Sequence, residues 1–337
     1  MDGTWLGRAR SWLFGGIGVL LAACIVLVLA LMWWWDYEPD HFDVVATAQA
    51  RLAAKGERVV TGSVTTAALV TSAETLLDKR GGYLSNDRLP PGVFMDNVPN
   101  WEFGVLTATR DLARALRNDF SRSQTQSVED KDLQEADPLF SSPNDRWLLP
   151  SSESQYRKAI AHVDAYLTRL GDGDDSNAQF YARADNLADY LQVVSARLGS
   201  LSQRLSAAAG QVRIDTDLAG DEHARQSTPA PSPRLVKTPW TKIDDNFYEA
   251  RGYTWALREQ LEAIRADFAP ILASKNAAVS LEQVIRELEE SQKALGSPIV
   301  LNGTPFGFFA NHSLVMANYI SRANAAVIDL RELLKRG

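Results

Sequence analysis

Acidic residues in one polar stretch of the chain, residues 86–126, are the best candidates for catalysis. A carboxylic acid and a carboxylate that flank a glycosidic bond can hydrolyse it together. An indole such as that of Trp101 offers a flat surface on which a sugar ring stacks. The stretch is therefore compatible with hydrolysis of a polysaccharide. The carboxylate candidates are Asp87, Asp96, Glu102 and Asp111.

The same stretch has a structural interpretation, which we favour. Asparagine and aspartate side chains commonly hydrogen-bond the backbone of turns, and prolines punctuate this part of the chain. Asp96 and its polar neighbours would then satisfy backbone groups in a loop that packs against helices. The residues that would bind a ligand on the first interpretation, or fill this structural role, are Trp101, Asn97, Asn100 and Arg110.

Motifs for other chemistry are absent from the sequence. It has no glycine loop with lysine for phosphate, no dinucleotide fingerprint, no Gly-x-Ser-x-Gly elbow and no His-Glu-x-x-His pair. Its histidines are scattered, and no two have the spacing of metal ligands. We therefore expect no metal site and no cofactor. The histidines are His41, His162, His223 and His312.

The composition excludes one class of partner. A net charge of −7 argues against nucleic acid, because phosphates require a basic surface. With 45% hydrophobic and 23% charged residues, the chain has the composition of a folded protein. Its single cysteine, Cys24, excludes an intramolecular disulfide, so stability must come from packing.

An apolar run near the N-terminus decides where any such site would lie. It extends from Leu13 to Met32 and continues into three tryptophans, and no charged residue occurs from Trp12 to Trp35. At about 1.5 Å per residue, a helix of this length crosses the hydrocarbon core of a bilayer, about 30 Å thick. We predict a membrane anchor at residues 13–35, with the bilayer as its partner. Its representative residues are Leu13, Leu20, Ile25, Leu29, Trp33, Trp34 and Trp35.

Charges on the two flanks of this run predict its orientation. Arg8 and Arg10 precede it, whereas acidic residues follow from Asp36 onward. Basic flanks favour the cytoplasmic side, and tryptophans favour both interfaces. We expect residues 1–12 in the cytoplasm and residues 36–337 in the periplasm, as in a single-pass protein of a bacterial inner membrane.

Two other interpretations of the run are a cleaved secretory signal and a lipoprotein signal. A cleaved signal ends in small residues, but this run ends in bulky tryptophans. The sequence from Leu21 to Cys24 has the form of a lipoprotein processing box. Residues 25–29 prolong the apolar run, however, where a processed lipoprotein becomes polar. We therefore favour an uncleaved anchor in which Cys24 is not lipidated.

Two heptad patterns predict the main helices of the remaining chain. Residues of the apolar seam recur at alternating spacings of three and four through Phe180–Ala208 and again through Ile243–Phe268. This period keeps the seam facing a partner helix. Because the runs have similar lengths, we predict an antiparallel, coiled-coil-like pair, within one chain or between two. The fold class is mainly α, an elongated helical bundle behind a single N-terminal transmembrane helix.

Shorter periodic stretches predict further helices. Asn100 is placed to cap a helix that begins at Trp101. A short helix from Val128 should end at Asp137-Pro138, because the residue before proline disfavours helical backbone. Other helices are predicted at about Val44–Ala54, Thr65–Lys79, Tyr156–Leu170 and Ser280–Leu295, and after the cap residue Asn311.

Two segments are predicted to be non-helical. In residues 299–309, Asn302-Gly303 lies between apolar residues, which is typical of a small β-hairpin. Residues 210–239 contain four prolines among polar residues and predict a flexible loop. That loop is either a passive connection, which we favour, or a proline-rich segment that binds a partner.

Several local motifs resemble one known family. They are Gly81–Asp87, Asp96–Leu106, Arg110–Ala113 and Ser121–Ser127. With them, nearly the whole chain resembles a bacterial family, the domain of unknown function 2333. The resemblance implies a single-pass inner-membrane protein of Gram-negative bacteria. It implies no activity, and it transfers no functional residues to this chain.

Together these features predict a scaffold or interaction protein of the bacterial cell envelope. Its expected partners are another envelope protein or a second copy of the chain. One alternative is a hydrolase of peptidoglycan or another envelope polymer that uses residues 86–126. The other is a lipid-handling bundle, which would need an open apolar groove between its helices.

Overall fold

The computed structural model describes residues 3–123, 128–174, 176–213 and 234–336, and it is mainly helical, as predicted. One pair of short strands, β1 (Gln211–Arg213) and β2 (Arg234–Val236), accompanies the helices. The α-helices of the described residues are α1 (Gly3–Trp35), α2 (Val44–Ala53), α3 (Ser63–Asp78), α4 (Asn97–Ala115), α5 (Lys131–Phe140), α6 (Ser152–Gly171), α7 (Ala184–Ser206), α8 (Ile243–Asp267), α9 (Ala269–Ser274), α10 (Ala278–Ser291) and α11 (His312–Lys335).

Helix α1 is exposed along its apolar part. Its segment Phe14–Trp35 spans 22 residues and has none of its most apolar window buried. By length and composition it is a candidate membrane span, although a signal sequence passes the same test. The predicted anchor residues Leu20, Ile25 and Leu29 are all exposed on it. The side chain of Leu13 lies outside the described part.

Helices α4 and α8 form the central pair of the bundle and run in the same direction. Trp101, near the start of α4, packs on Trp255 with ring centroids 5.3 Å apart, and Phe120, after its end, packs on Phe268 at 5.4 Å. A glycine on each helix allows close approach, because a Cβ at Gly252 would overlap the Trp101 carbonyl oxygen. A Cβ at the other glycine, Gly104, would overlap the Glu249 carbonyl oxygen.

The two predicted heptad helices, α7 and α8, have different main partners. Helix α7 packs along α11 in the antiparallel sense, where Ser195 Oγ donates to Asn324 Oδ1 at 2.8 Å and Ser202 Oγ to Ala317 O at 3.1 Å. Helices α7 and α8 are also antiparallel, but they touch at few positions, such as the Tyr190–Gln260 hydrogen bond of 2.7 Å. The predicted antiparallel orientation is confirmed, whereas the main partner of each helix differs from the prediction, since a heptad stripe specifies a buried face and not its partner.

Two predicted helix boundaries are also corrected. Helix α4 begins at Asn97, three residues before the predicted cap Asn100, because Asp96 accepts a hydrogen bond from the Asn97 N–H at 3.0 Å. Helix α5 begins at Lys131 and continues through Pro138 to Phe140. Proline has no N–H to donate, so α5 lacks one backbone hydrogen bond at Pro138, and Asp137 adopts the helical backbone that a residue before proline usually avoids.

The small β-hairpin lies elsewhere than predicted. Strands β1 and β2 pair antiparallel at the base of the proline-rich segment, with Val212 opposite Leu235. In the predicted segment, residues 299–309, an isolated bridge joins Asn302 to Asn311. The centre of the predicted flexible loop, residues 214–233, lies outside the described residues.

The helix directions give the bundle two distinct ends. At the proximal end, where α1 leaves, the end of α3 meets the start of α6 through Asp78 and Arg157, 2.7 Å apart. The end of α7 meets the start of α8 there through Arg204 and Glu249. At the distal end, the start of α3 meets the end of α8, where the Thr65 N–H donates to Asp267 at 2.7 Å.

Candidate functional site at the junction of the apolar helix and the bundle

The segment that follows α1, residues 36–43, is fastened to α8 by a buried arginine. The guanidinium of Arg251, which is 5% exposed, donates from Nε to Glu38 Oε1 at 2.8 Å. It also donates from Nη1 to the carbonyl oxygens of Ser291 at 3.2 Å and Lys293 at 3.0 Å. One side chain therefore joins the exit from α1 to both α8 and the end of α10.

Further along α8, two more residues hold the same segment. Trp255 Nε1 donates to the Pro39 carbonyl oxygen at 3.0 Å. The His41 ring stacks on the Trp255 indole at 6.1 Å, and its Nδ1 lies 2.5 Å from Oε1 of the buried Glu259. With Arg251, these residues recur every four positions and therefore form one row along the helix. We call residues 36–43 and this row the junction.

The end of α1 also packs against the turn that follows α3. The guanidinium of Arg80 lies over two rings, 4.7 Å from the Trp34 centroid and 3.9 Å from the Tyr37 centroid. Cation–π contacts of this kind stabilise by about 0.5–1 kcal/mol each at exposed sites. Beside them, Gly81 has a positive φ of 82° and lies against Trp35. A side chain there would have to displace the indole.

The junction concentrates carboxylates in a partly buried place. Burial, followed by the neighbouring carboxylates of Glu38 and Asp96, raises the pKa of Asp36 above its ordinary value. Burial, followed by Glu38 and Asp36, raises the pKa of Tyr248 to about 12. Within this cluster the Arg251 guanidinium is a positive charge in direct contact with Glu38.

Two surface cavities border the junction. One of about 310 Å³ lies against Asp36, Glu38 and Tyr248, and one of about 610 Å³ lies along His41 and the charged side of α8. Both linings mix charged with apolar side chains. They differ in this respect from the open apolar groove that a lipid-handling bundle would need.

Of the predicted catalytic residues, Glu102 is buried and fully engaged. Its carboxylate is 0% exposed and forms an ion pair with the buried ammonium of Lys79. It also accepts from the Leu84 and Ser85 N–H groups, each at 2.8 Å, and from Ser85 Oγ at 2.5 Å. Glu102 therefore fixes the turn after α3 onto α4.

Asp111 lies on the same helix but in a different environment. The Arg197 guanidinium binds it in a bidentate manner, at 2.9 and 3.1 Å. It lies nine positions after Glu102 on the helix, which corresponds to about 14 Å along the axis. Paired glycosidase carboxylates lie about 5–9.5 Å apart, so these two do not form such a pair.

The other predicted site residues are also held by the protein itself. Trp101 is 1% exposed and packs on Trp255, so its faces are covered by protein. Arg110 donates to the carbonyl oxygens of Phe140 and Ser142, each at 2.7 Å. Asp96 and Asn97 form the start of α4, where Asn100 Nδ2 donates to the Asp96 carbonyl oxygen at 2.9 Å. Burial, followed by the Glu102 and Glu153 carboxylates, raises the pKa of Asp87.

The structure therefore brings together a group that the sequence reasoning did not single out. The heptad pattern drew attention to the apolar positions of α8, whereas the junction uses the adjacent row of Arg251, Trp255 and Glu259. Their regular four-residue spacing was the sequence feature that could have predicted a second contact face on α8. Their partners lie more than 200 residues away in the chain, which no local pattern reveals.

Comparison with known proteins identifies one family. Residues 7–337 match the family model DUF2333, described as an uncharacterised protein conserved in bacteria. The match confirms the resemblance seen in the sequence and covers essentially the whole chain. No curated protein and no solved structure matches the chain.

Proposed function

This chain belongs to the DUF2333 family of bacterial proteins, and we propose that it is a membrane-anchored interaction protein of the cell envelope. In this proposal α1 spans the inner membrane and the bundle lies in the periplasm. The bundle presents its surface to an envelope protein or to a second copy of the chain. The lipid bilayer is the partner of α1.

The observation that carries the proposal is the junction. A domain that only needs a tether is usually joined to its anchor by a flexible linker of glycine and serine. Here Glu38, Pro39 and His41 are each bonded to α8, and Arg80 lies against Trp34. Such a connection restricts how the bundle is oriented relative to α1. A fixed orientation suits a protein that presents a defined face to a partner.

The flanking charges support the proposed topology. Arg8 and Arg10 precede the apolar run, and Asp36, Glu38 and Asp40 follow it. The reverse orientation would place Arg8 and Arg10 on the periplasmic side, against the preference of basic residues for the cytoplasmic side. The tryptophans at the end of α1 suit the membrane–water interface.

Photo-crosslinking in cells tests the proposed interaction. A photoreactive phenylalanine analogue is placed at one exposed position at a time in the full-length chain, expressed in place of the native copy. Suitable positions are Val128, Val193, Val279 and Ile328, which are exposed and lie on different segments of the bundle. We expect crosslinks to an envelope protein or to a second copy from some of these positions and not from others.

The junction supplies a matched control for that experiment. Glu38→Ala removes the carboxylate bound to Arg251, whereas Glu282→Ala removes one side of an exposed ion pair with Arg286. We expect the first substitution to weaken or redistribute the crosslinks and the second to leave them unchanged. The absence of crosslinks from every position, with an unaltered envelope after deletion of the gene, would contradict the proposal.

A further inference from the structure

Exposed aromatic residues are distributed unevenly over the bundle. Beyond α1, every exposed phenylalanine and tryptophan of the described residues lies in a loop or a short 3-10 helix, and none lies on the flank of an α-helix. Phe308 is 96% exposed, and the others are also well exposed. These residues are Phe94, Trp147, Trp240, Phe306, Phe308 and Phe309, and we call them the aromatic rim.

The loops that carry the aromatic rim all belong to the proximal end. The loop with Phe94 leads directly into α4, and the loop with Trp147 is joined to it where Asn86 Nδ2 donates to the Arg146 carbonyl oxygen at 2.7 Å. Trp240 begins the short 3-10 helix that leads into α8. The loop with the three phenylalanines precedes α11 and contacts the end of α7.

This end of the bundle is held close to the end of α1. Glu38, which is bound to Arg251, lies three positions after Trp35, the last residue of the candidate span. Since an extended chain covers at most about 3.6 Å per residue, that part of the bundle lies within about 11 Å of the end of α1. Pro298, next to the exposed Ile299, borders the same cavity as Asp36 and Glu38.

The distal end has a different surface. Large exposed apolar side chains at this end include Val59, Val60, Val128 and Val279. The aromatic side chains of Phe120, Tyr190 and Phe268 at that end are buried instead. The aromatic rim therefore marks the one end of the bundle that faces the apolar helix.

We propose that the aromatic rim inserts into the interface of the bilayer that α1 crosses, so that the bundle binds the membrane by its loops as well as by its anchor. This inference rests on the proposed anchoring by α1. Large contiguous apolar patches on a surface mark protein or membrane contacts, and in this rim the exposed rings of Phe308 and Phe309 lie in contact, with centroids 5.5 Å apart. Aromatic side chains at the depth of the headgroups are a general feature of membrane interfaces. The occupant favoured here is lipid, because the anchor itself brings that surface within reach.

The test uses single cysteines in the full-length protein. Cys24 is replaced by serine, and a bimane fluorophore is attached to Phe308→Cys, to Trp240→Cys or to the distal control Val279→Cys. A fourth variant, Leu20→Cys, places the fluorophore in α1. Each protein is reconstituted into vesicles of phosphatidylethanolamine and phosphatidylglycerol. Quenching is measured with nitroxide-labelled lipid and with aqueous iodide, and circular dichroism checks that each variant is folded.

We expect lipid nitroxide to quench positions 308 and 240 several-fold more than position 279, and iodide to show the reverse order. Equal quenching at 308 and 279, with strong lipid quenching at position 20, would overturn the inference and leave the anchor in place. Shielding of position 308 from both quenchers would assign the rim to a second copy or another protein, and it would also overturn the inference. Absence of lipid quenching at position 20 would instead contradict the proposed anchoring.

Discussion

The two ends of the bundle use aromatic residues in opposite ways. At the distal end, Phe120 contacts Phe180, Tyr190 and Phe268 with ring centroids 5.3–6.0 Å apart, and Phe120 and Phe268 are fully buried. At the proximal end, the aromatic rim is exposed. Aromatic side chains thus form part of the core at the distal end, whereas at the proximal end they form part of the exposed surface. The difference supports the proposal that the proximal end contacts the membrane.

The polar groups of the two ends differ as well. The proximal end has the Arg251–Glu38 contact and the buried Lys79–Glu102 pair beneath its loops. The distal end carries Asp119 near the carboxylates of Asp189 and Asp185. Substitutions at each end therefore have separate expected effects on stability.

The largest difference is expected for one phenylalanine from each end. Phe120→Ala should lower the free energy of unfolding by about 4 kcal/mol, because it leaves a cavity among buried rings. Phe308→Ala should change it by less than about 0.5 kcal/mol, because the ring is exposed. Urea unfolding of the full chain in detergent, followed by circular dichroism, measures both values. Equal losses of unfolding free energy in the two variants would contradict the difference between the two ends.

The buried ion pair under the proximal loops is expected to have the next largest effect. Glu102→Gln leaves the Lys79 ammonium buried without its carboxylate, which should cost about 3 kcal/mol. Glu282→Gln, in an exposed pair with Arg286, should cost less than about 0.5 kcal/mol. The same unfolding experiment compares them. A loss for Glu102→Gln no greater than that for Glu282→Gln would show that this pair does not support the proximal end.

Two helix glycines provide a matched pair in the body of the bundle. Gly252→Ala should destabilise by about 2 kcal/mol, because its Cβ would meet the backbone of α4 at Trp101. Gly199→Ala should instead stabilise by about 0.5–1 kcal/mol, because its Cβ would meet only Asn324 at an ordinary 3.6 Å and the substitution favours helix. Thermal unfolding of both variants checks the opposite signs. A stabilising Gly252→Ala would contradict the close approach of α4 and α8.

The smallest effect is expected at the acidic patch of the distal end, and it depends on pH. Burial and then the Asp189 carboxylate raise the pKa of Asp119 to about 6. The folded state therefore holds this proton more tightly than the unfolded state, and the resulting stability is lost as the pH rises from about 4 to about 6.

Asp119→Asn should accordingly stabilise the protein at pH 7, where the native carboxylate is ionised at a cost. We expect a gain of about 1 kcal/mol, reduced from the full linkage value because the side chain is partly solvated. The gain should vanish near pH 4. Melting temperatures measured at several pH values test this, and a gain that is independent of pH would assign the effect to another cause.

The sequence predicts the helices well because their periodicity is a local property. The seams through α7 and α8 and the apolar run of α1 appear where the patterns placed them. The partner of each helix was not predictable in this way. Gly104 and Gly252 allow the close contact between α4 and α8. The need for glycine at these two positions becomes visible only once the two helices are known to be adjacent.

The candidate site was less predictable than the fold. Residue type and spacing drew attention to Glu102, Asp111 and Trp101, yet the structure places all three in contacts within the bundle. The junction could not be predicted because Arg251 and Glu38 are distant in sequence and neither belongs to a recognisable motif. The aromatic rim was equally hidden, because exposure is a property of the folded chain.

A distance measurement between α1 and the distal end tests the central claim that the junction fixes the bundle relative to the apolar helix. Spin labels are attached to Val26→Cys and Val279→Cys in the full chain with Cys24→Ser, in lipid nanodiscs, and the distance is measured by double electron–electron resonance. We predict one narrow distribution, which broadens in Glu38→Ala. A broad distribution with the native junction would contradict the claim.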